Sequence, residues 1–517
     1  MKLFALAASV SLLAVTAANA QDWRAAAQQD VQALHDEIRD NHPALVTGGD
    51  EAGFAQRLAA GLAAAQQRQA SVRDAQDYAF TLREFANSLG DSNITFEPNW
   101  QLPPIWDGQI WNQFTTGWRD GAYVVTWVQP GVNGLPPVGA RLQSCDDVDA
   151  EDFARRRLDG WEGNLDQPGD REQTAPYLFW DRGNPFVGGL PGECNFATGN
   201  SRRGRDYRMT AVFAPEDQRR AAWASTVYLP QTPVAIEAIN GGHWIHLHDL
   251  TQTDTSAALL AQIDGQLDAI RGGNLVIDLR GARNGSGALG YALANRLWGV
   301  DYRVAQQDIS GQIVYRVSAD NRAYFADVLG RMQGDPMFAG NYPGAVRQME
   351  ALLARFDEAA AAGQQTFTET ITPPIPAIEA AVVEGDTGAG EEGAAGDPAA
   401  PAAPEAPVAA TNPMRGNIVV LVDGGCRNAC VDVVDMLLSL PNVRLAGTPT
   451  GADSIHFEQT RVALPSTHGY LNYGHKTWFG RERGSNVPHT PEAGLTYTGN
   501  PADDAAVRAW VLGLFGG

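Results

Sequence analysis

Residues 423–437, DGGCRNACVDVVDML, follow the apolar run NIVVLV. A buried strand that runs into a glycine pair and then a helix is a junction that can display a nucleophile, because the N–H groups opening the helix face the same point in space. The residue at that point is Asn428. Its carboxamide nitrogen has a delocalised lone pair, so it is no acyl acceptor. Cys426 and Cys430 flank it, and a thiolate there would be a competent nucleophile. Further along, GGHWIHLHDL sets Trp244, His246 and His248 on one face of a strand, and His-x-His is a legitimate metal spacing. No Cys or Glu pattern accompanies it, so the histidines read as partly exposed strand residues, and neither a metal nor a cofactor is assigned. Ser286 and Ser454 lie in glycine-bearing segments and read as turn formers. His456, His468, His475 and His489 fall in one C-terminal stretch as potential substitute bases.

The elements that must position these groups are legible from periodicity. HWIHLHDL, TSAALLAQIDGQLDAIRGG and NLVIDLRG read as strand, helix, strand, and continuous apolar strands between helices imply an α/β core with a sheet covered on both faces. Residues 21–95 are rich in Ala, Gln, Arg and Leu at helical spacing and predict a helical N-terminal region. Residues 96–233 hold short strand-like runs with glycine turns and predict a small mixed or mostly β domain. The core then spans 234–517, interrupted at about 380–412 by an Ala, Pro, Gly and Glu tract too poor in apolar bulk to fold.

Two stretches, NLVIDLRGARNGSGALGYALANRLWG and NIVVLVDGGCRNACVDVVDML, together resemble the two core signatures of the tail-specific, or C-terminal processing, serine peptidases. The likeness continues through LAGTPTGADS and RERGSNVPHTPE. The resemblance implies a spiral, crotonase-like (ClpP-like) α/β core behind a helical region and a middle domain that is often PDZ-like; PPVGARLQSCDDVDAEDF resembles a PDZ turn and strand only loosely, which leaves that point open. It also implies roles. Where relatives read GGxxSAxxD this chain has GGCRNACVD, so Asn428 occupies the nucleophile position, with Ala429 behind it as an oxyanion-hole position. The second oxyanion element, a glycine run after DLRG, is reduced to Ala282, Arg283, Asn284 and Gly285, of which only Gly285 matches. The family's general base is either a lysine some two dozen residues past the serine or a histidine in a DSHxxF stretch. Lys476, the only lysine besides Lys2, lies too far on, and LGDSNITFEP puts Asn93 in the histidine's place.

Asparagine is also a preferred helix N-cap, which gives Asn428 a purely structural reading, and Asn93 has one as a turn or cap residue. The start MKLFALAASVSLLAVTAANA has the layout of a cleaved signal over residues 1–20, which predicts export to a periplasm or the exterior. The even set Cys145, Cys194, Cys426 and Cys430 then predicts disulfides, the last two across one helical turn. A net charge of -22 argues against nucleic acid as a partner, and no later segment is apolar enough to span a membrane. These readings converge on an exported, serine-peptidase-like protein that has lost catalysis and binds peptides or protein C-termini. Two alternatives stand beside it: an active peptidase with rearranged groups, and a carrier of apolar ligands like the interphotoreceptor retinoid-binding relative.

Overall fold

The computed structural model describes residues 22–99, 110–199, 203–283, 285–306, 311–370 and 411–516. The expected signal and most of the acidic tract at 380–412 lie outside these residues. So does Asn284.

At the centre is a five-stranded sheet in the order Val234–Ile239, Gly242–Leu247, Asn274–Asp278, Ile418–Val422, Val443–Gly447. The first pair is antiparallel and the others are parallel. All five residues of Ile418–Val422 are buried, as an apolar run covered on both sides requires. One face packs Ile277, Val420 and Val422 against Leu289, Leu293, Val433 and Val434 of the helices Ala288–Trp298 and Ala429–Leu438. The other packs Val276, Val419 and Leu421 against Val507 and Val511 of the helix Asp504–Gly513.

A second, antiparallel sheet runs Thr95–Pro98, Gly469–Phe479, Gln312–Arg316, Thr366–Thr370, with His456–Ala463 also paired to Gly469–Phe479. Tyr315 and Phe367 of this sheet stack, and they pack against Phe325 and Phe356 of the helices Ala319–Gly334 and Pro343–Ala361. The N-terminal helices Trp23–Asn41, Glu51–Gln69 and Ala75–Ser88 close around Leu34, Ile38, Phe54, Tyr78 and Phe85, and they share that core with Leu464, Leu471 and Tyr473. Asp74 starts the third helix by accepting from the Gln76 and Asp77 N–H groups.

Between these parts a six-stranded antiparallel sheet spans Phe114–Arg119 to Arg205–Arg208. Cys145 and Cys194 face each other on adjacent strands and are bonded, as are Cys426 and Cys430; no described cysteine is free. Among the described residues no helix is long and apolar enough to cross a membrane.

Candidate functional site

The strand Ile418–Val422 delivers the chain into Asp423, Gly424 and Gly425, three buried residues that leave no room for side chains at the two glycines. A Cβ on Gly424 would stand 2.7 Å from the Gly169 carbonyl oxygen, and one on Gly425 would stand 2.8 Å from the Gly281 Cα. Asp423 is enclosed and accepts from the Gly281 and Gly425 N–H groups at 2.8 and 2.9 Å, while Glu172 accepts from the Gly424 N–H at 3.1 Å. Burial pushes the carboxyl pKa of both upward, and Asp423 raises Glu172 further. The turn therefore rests on two buried acids.

Three residues on, Asn428 has φ 54° and ψ -125°, a left-handed conformation that few side chains adopt. It is exposed, and the helix Ala429–Leu438 begins immediately behind it. The capping reading fails here. The Asn428 side chain makes no cap hydrogen bond, because the positive φ carries it away from the helix opening; its backbone carbonyl still accepts from the Val431 N–H at 2.9 Å. The Cys426–Cys430 bond closes the loop around it. Replacing both cysteines with alanine is expected to cost about 2 kcal/mol from the short loop alone, read as a lower urea midpoint at unchanged slope.

The Arg427 N–H donates to the Ala282 carbonyl at 3.1 Å, which joins this elbow to the loop after Asn274–Asp278. Gly285 lies in that loop with φ 90°, bridged to Leu250. A Cβ at Gly285 would come within 2.0 Å of the Leu250 carbonyl carbon, so local packing is enough to demand glycine there. Ala429 presents the first N–H of the helix, and among the described residues that N–H has no hydrogen-bond acceptor.

A cavity of about 640 Å³ lies beside this elbow. The cavity takes Asp91, Ser92 and Ile94 from one side and Arg427 and Ala452 from the other. Asn93 itself is 6% exposed. Its backbone N–H donates to Asp91 Oδ1 at 2.8 Å, its Nδ2 donates to the His456 carbonyl at 2.7 Å, and its carbonyl accepts from Gln459 Nε2 at 2.9 Å. Arg427 and Ser92, the chain neighbours of Asn428 and Asn93, thus line one cavity, which neither asparagine lines itself.

The remaining candidates disperse. His456 Nδ1 bonds Thr477 Oγ1 at 2.8 Å, and burial lowers the ring pKa to about 4. His468 packs on Trp23 and Tyr78, and His475 is enclosed by Tyr324 and Phe325, where burial lowers it to about 3. His489 pairs with Asp435 at 2.7 Å on the outward face of the helix Ala429–Leu438. Lys476 is held by Glu458. Ser454 is buried and accepts from the His456 N–H at 2.8 Å.

One pair escaped sequence reasoning. His42, wholly buried, stands with Nε2 3.4 Å from Asp91 Oδ2 and its ring edge against His456 at 4.9 Å. Only DNHP at the end of the first helix hinted at a special residue there.

His246 and His248 do meet a third potential ligand, Asp278 on the neighbouring parallel strand, with all three ligand atoms within 4.8 Å of one another. That carboxylate is already bound by Arg280, at 2.9 Å to Oδ1 and 2.6 Å to Oδ2, and accepts from Trp244 Nε1 at 3.3 Å. A divalent cation would sit against a fixed guanidinium, so the donor set fits an ion-pair network better than a metal centre.

No family model matches the chain, and no curated protein matches it. Among solved structures it is similar to mature CPAF, at TM-score 0.56 and 13% identity, covering 95% of this chain and 96% of that one. Mature CPAF complexed with lactacystin gives 0.54 and 13%, over 95% and 97%. The photosystem II D1 C-terminal processing protease aligns over 92% and 93% of the two chains at 12% identity, but its TM-score of 0.33 bears no weight. The CPAF likeness shows a shared α/β fold.

Proposed function

We propose that this chain is an exported member of the tail-specific serine peptidase group that has lost catalysis and retains the pocket, where it binds peptides or protein C-termini. On this reading the five-stranded sheet and its helices are the spiral, crotonase-like core, and the antiparallel sheet at 114–208 stands where relatives carry a PDZ-like domain. The observation that carries the proposal is Asn428: an exposed residue in the strained backbone geometry of a displayed nucleophile, with neither a hydroxyl nor a thiol to use it. Strain of this kind costs of order 1–3 kcal/mol and persists where the surroundings impose it. The base position supports the same reading, since Asn93 spends its carboxamide nitrogen on the His456 carbonyl. The neighbouring fold solved with lactacystin supports a pocket that accepts small ligands. The unaccepted Ala429 N–H is suited to a carboxylate or carbonyl oxygen, whereas Arg427 is already paired with Asp170 at 2.6 Å and donates to the Gly424 carbonyl at 3.0 Å.

The test is fluorophosphonate treatment of the folded protein with peptide mapping, run beside calorimetric titration with a peptide bearing a free C-terminus. We expect no serine adduct and measurable binding that weakens when Ser92→Trp fills the cavity. A labelled serine would return the chain to the working peptidases, and absent binding would remove the proposed role. Asn428→Ser alone is expected to stay inactive in a peptide-cleavage assay, because no free base stands beside the new hydroxyl; Asn428→Ser with Asn93→His is the pair expected to show a trace. Cutting by the single variant would mean that another group supplies the base.

A further inference from the structure

The geometry points to Asn428 as a self-modifying residue: the folded elbow drives its conversion through a succinimide to aspartate and isoaspartate. In an L-residue the next peptide nitrogen eclipses Cβ when ψ is about -120°, because the substituents on Cα are spaced by about 120°. Asn428 has ψ -125°. The Ala429 nitrogen is thereby rotated onto the side of the Asn428 side chain, the arrangement that a five-membered ring through Cγ requires. Helical and extended asparagines hold ψ far from this value and must leave their wells to reach it.

Three further features of the same residue favour the reaction. The Asn428 side chain is exposed and has no hydrogen bond among the described residues, so Cγ is free to turn toward the nitrogen. The Ala429 N–H has no acceptor among the described residues, so no bond must break before it is deprotonated. It also opens a ten-residue helix, where the aligned peptide dipoles stabilise a developing negative charge.

The step balances without a cofactor. Solvent base removes the Ala429 N–H proton, the nitrogen attacks Cγ, and the Cγ–Nδ2 bond breaks to release ammonia, leaving an intact chain carrying a succinimide. Water then opens the ring at either carbonyl, giving a side-chain carboxylate or an isoaspartyl linkage. The net change is loss of ammonia and gain of water, with one added negative charge beside Arg427.

The experiment incubates the full chain, disulfides formed, at mildly alkaline pH, and follows the tryptic peptide Asn428–Arg444 by mass with fragmentation to localise the change. A sample reduced and unfolded in urea runs in parallel. We expect conversion at Asn428 to be about tenfold faster in the folded protein, the factor that about 1.4 kcal/mol of prepaid rotation supplies. Asn133 and Asn240, each followed by glycine, serve as references and should react faster unfolded than folded. Asn428→Gln, which needs a six-membered ring, should abolish the change in that peptide. Equal or slower conversion in the folded chain, an unaltered signal in Asn428→Gln, or scission between residues 428 and 429 would each overturn the proposal.

Discussion

Replacing Arg280 with leucine is expected to destabilise the folded chain by about 3–5 kcal/mol, the cost of leaving a buried charge without its partner. Asp278 is wholly buried at the end of its strand, and Arg280, 1% exposed, grips both its oxygens. Although burial pushes the Asp278 pKa upward, Arg280 and His248 together hold it well below the usual carboxylate range. In the leucine variant burial wins and the native state takes up a proton that the unfolded chain releases above its ordinary carboxylate pKa. The native state then binds more protons, so stability falls as pH rises, and the deficit should be larger near pH 8 than near pH 5. The guanidinium also lies over the Tyr228 ring at 3.9 Å and opposes the burial that raises the Asp423 pKa beneath the elbow, so we expect the loss to extend to peptide binding. Urea unfolding at the two pH values, beside Asp278→Asn with Arg280→Leu, checks this. Equal deficits at both would mean that Asp278 is not the group left stranded.

Arg483→Leu should cost about 3 kcal/mol by the same logic on the outer face of the elbow helix. Arg483 reaches Asp435 at 2.9 Å and Asp432 at 3.4 Å, and it bonds Asp453. Arg481 and His489 remain as partners for Asp453 and Asp435, which sets the loss below that at Arg280. Asp435 is pushed up by burial yet held below its ordinary value by His489 and Arg483, while Asp432 is pushed up by burial and by Asp453, an effect that solvent screens because its side chain is 43% exposed. Removing Arg483 moves these carboxyls toward the protonated form, so this variant too should recover as pH falls. A thermal midpoint unchanged from the parent's at neutral pH would show that the carboxylates find other cations.

The core sheet was legible because NIVVLV and NLVIDLRG must be buried on both faces, and a sequence records that as an unbroken apolar run. The glycine pair at 424–425 announced a turn too tight for side chains, and the structure supplies the backbone that excludes them. Asn428 was legible in place but not in conformation. Local preference makes asparagine a cap, whereas φ 54° is imposed by the packed turn before it and the helix after it. What stayed hidden depends on distant partners. His42 meets Asp91, and His246 and His248 meet Asp278, only after strands and helices assemble. The four C-terminal histidines, close in sequence, scatter because they fall on different elements: His456 and His475 on two paired strands, His468 in the turn between them and His489 beyond the sheet. The helices Ala319–Gly334 and Pro343–Ala361 carried no chemical signature and were read simply as part of the core.

The strand Thr95–Pro98 pairs with Gly469–Phe479, and the N-terminal helices complete their core with Leu464, Leu471 and Tyr473. The first part of the chain therefore waits for nearly the last. During synthesis Leu34, Ile38 and Tyr78 have no partner strand until residues near 470 have emerged, and closing so long a loop is slow relative to local helix formation. The N-terminal helices therefore complete their burial only once that distant strand is in place, whatever the order of synthesis.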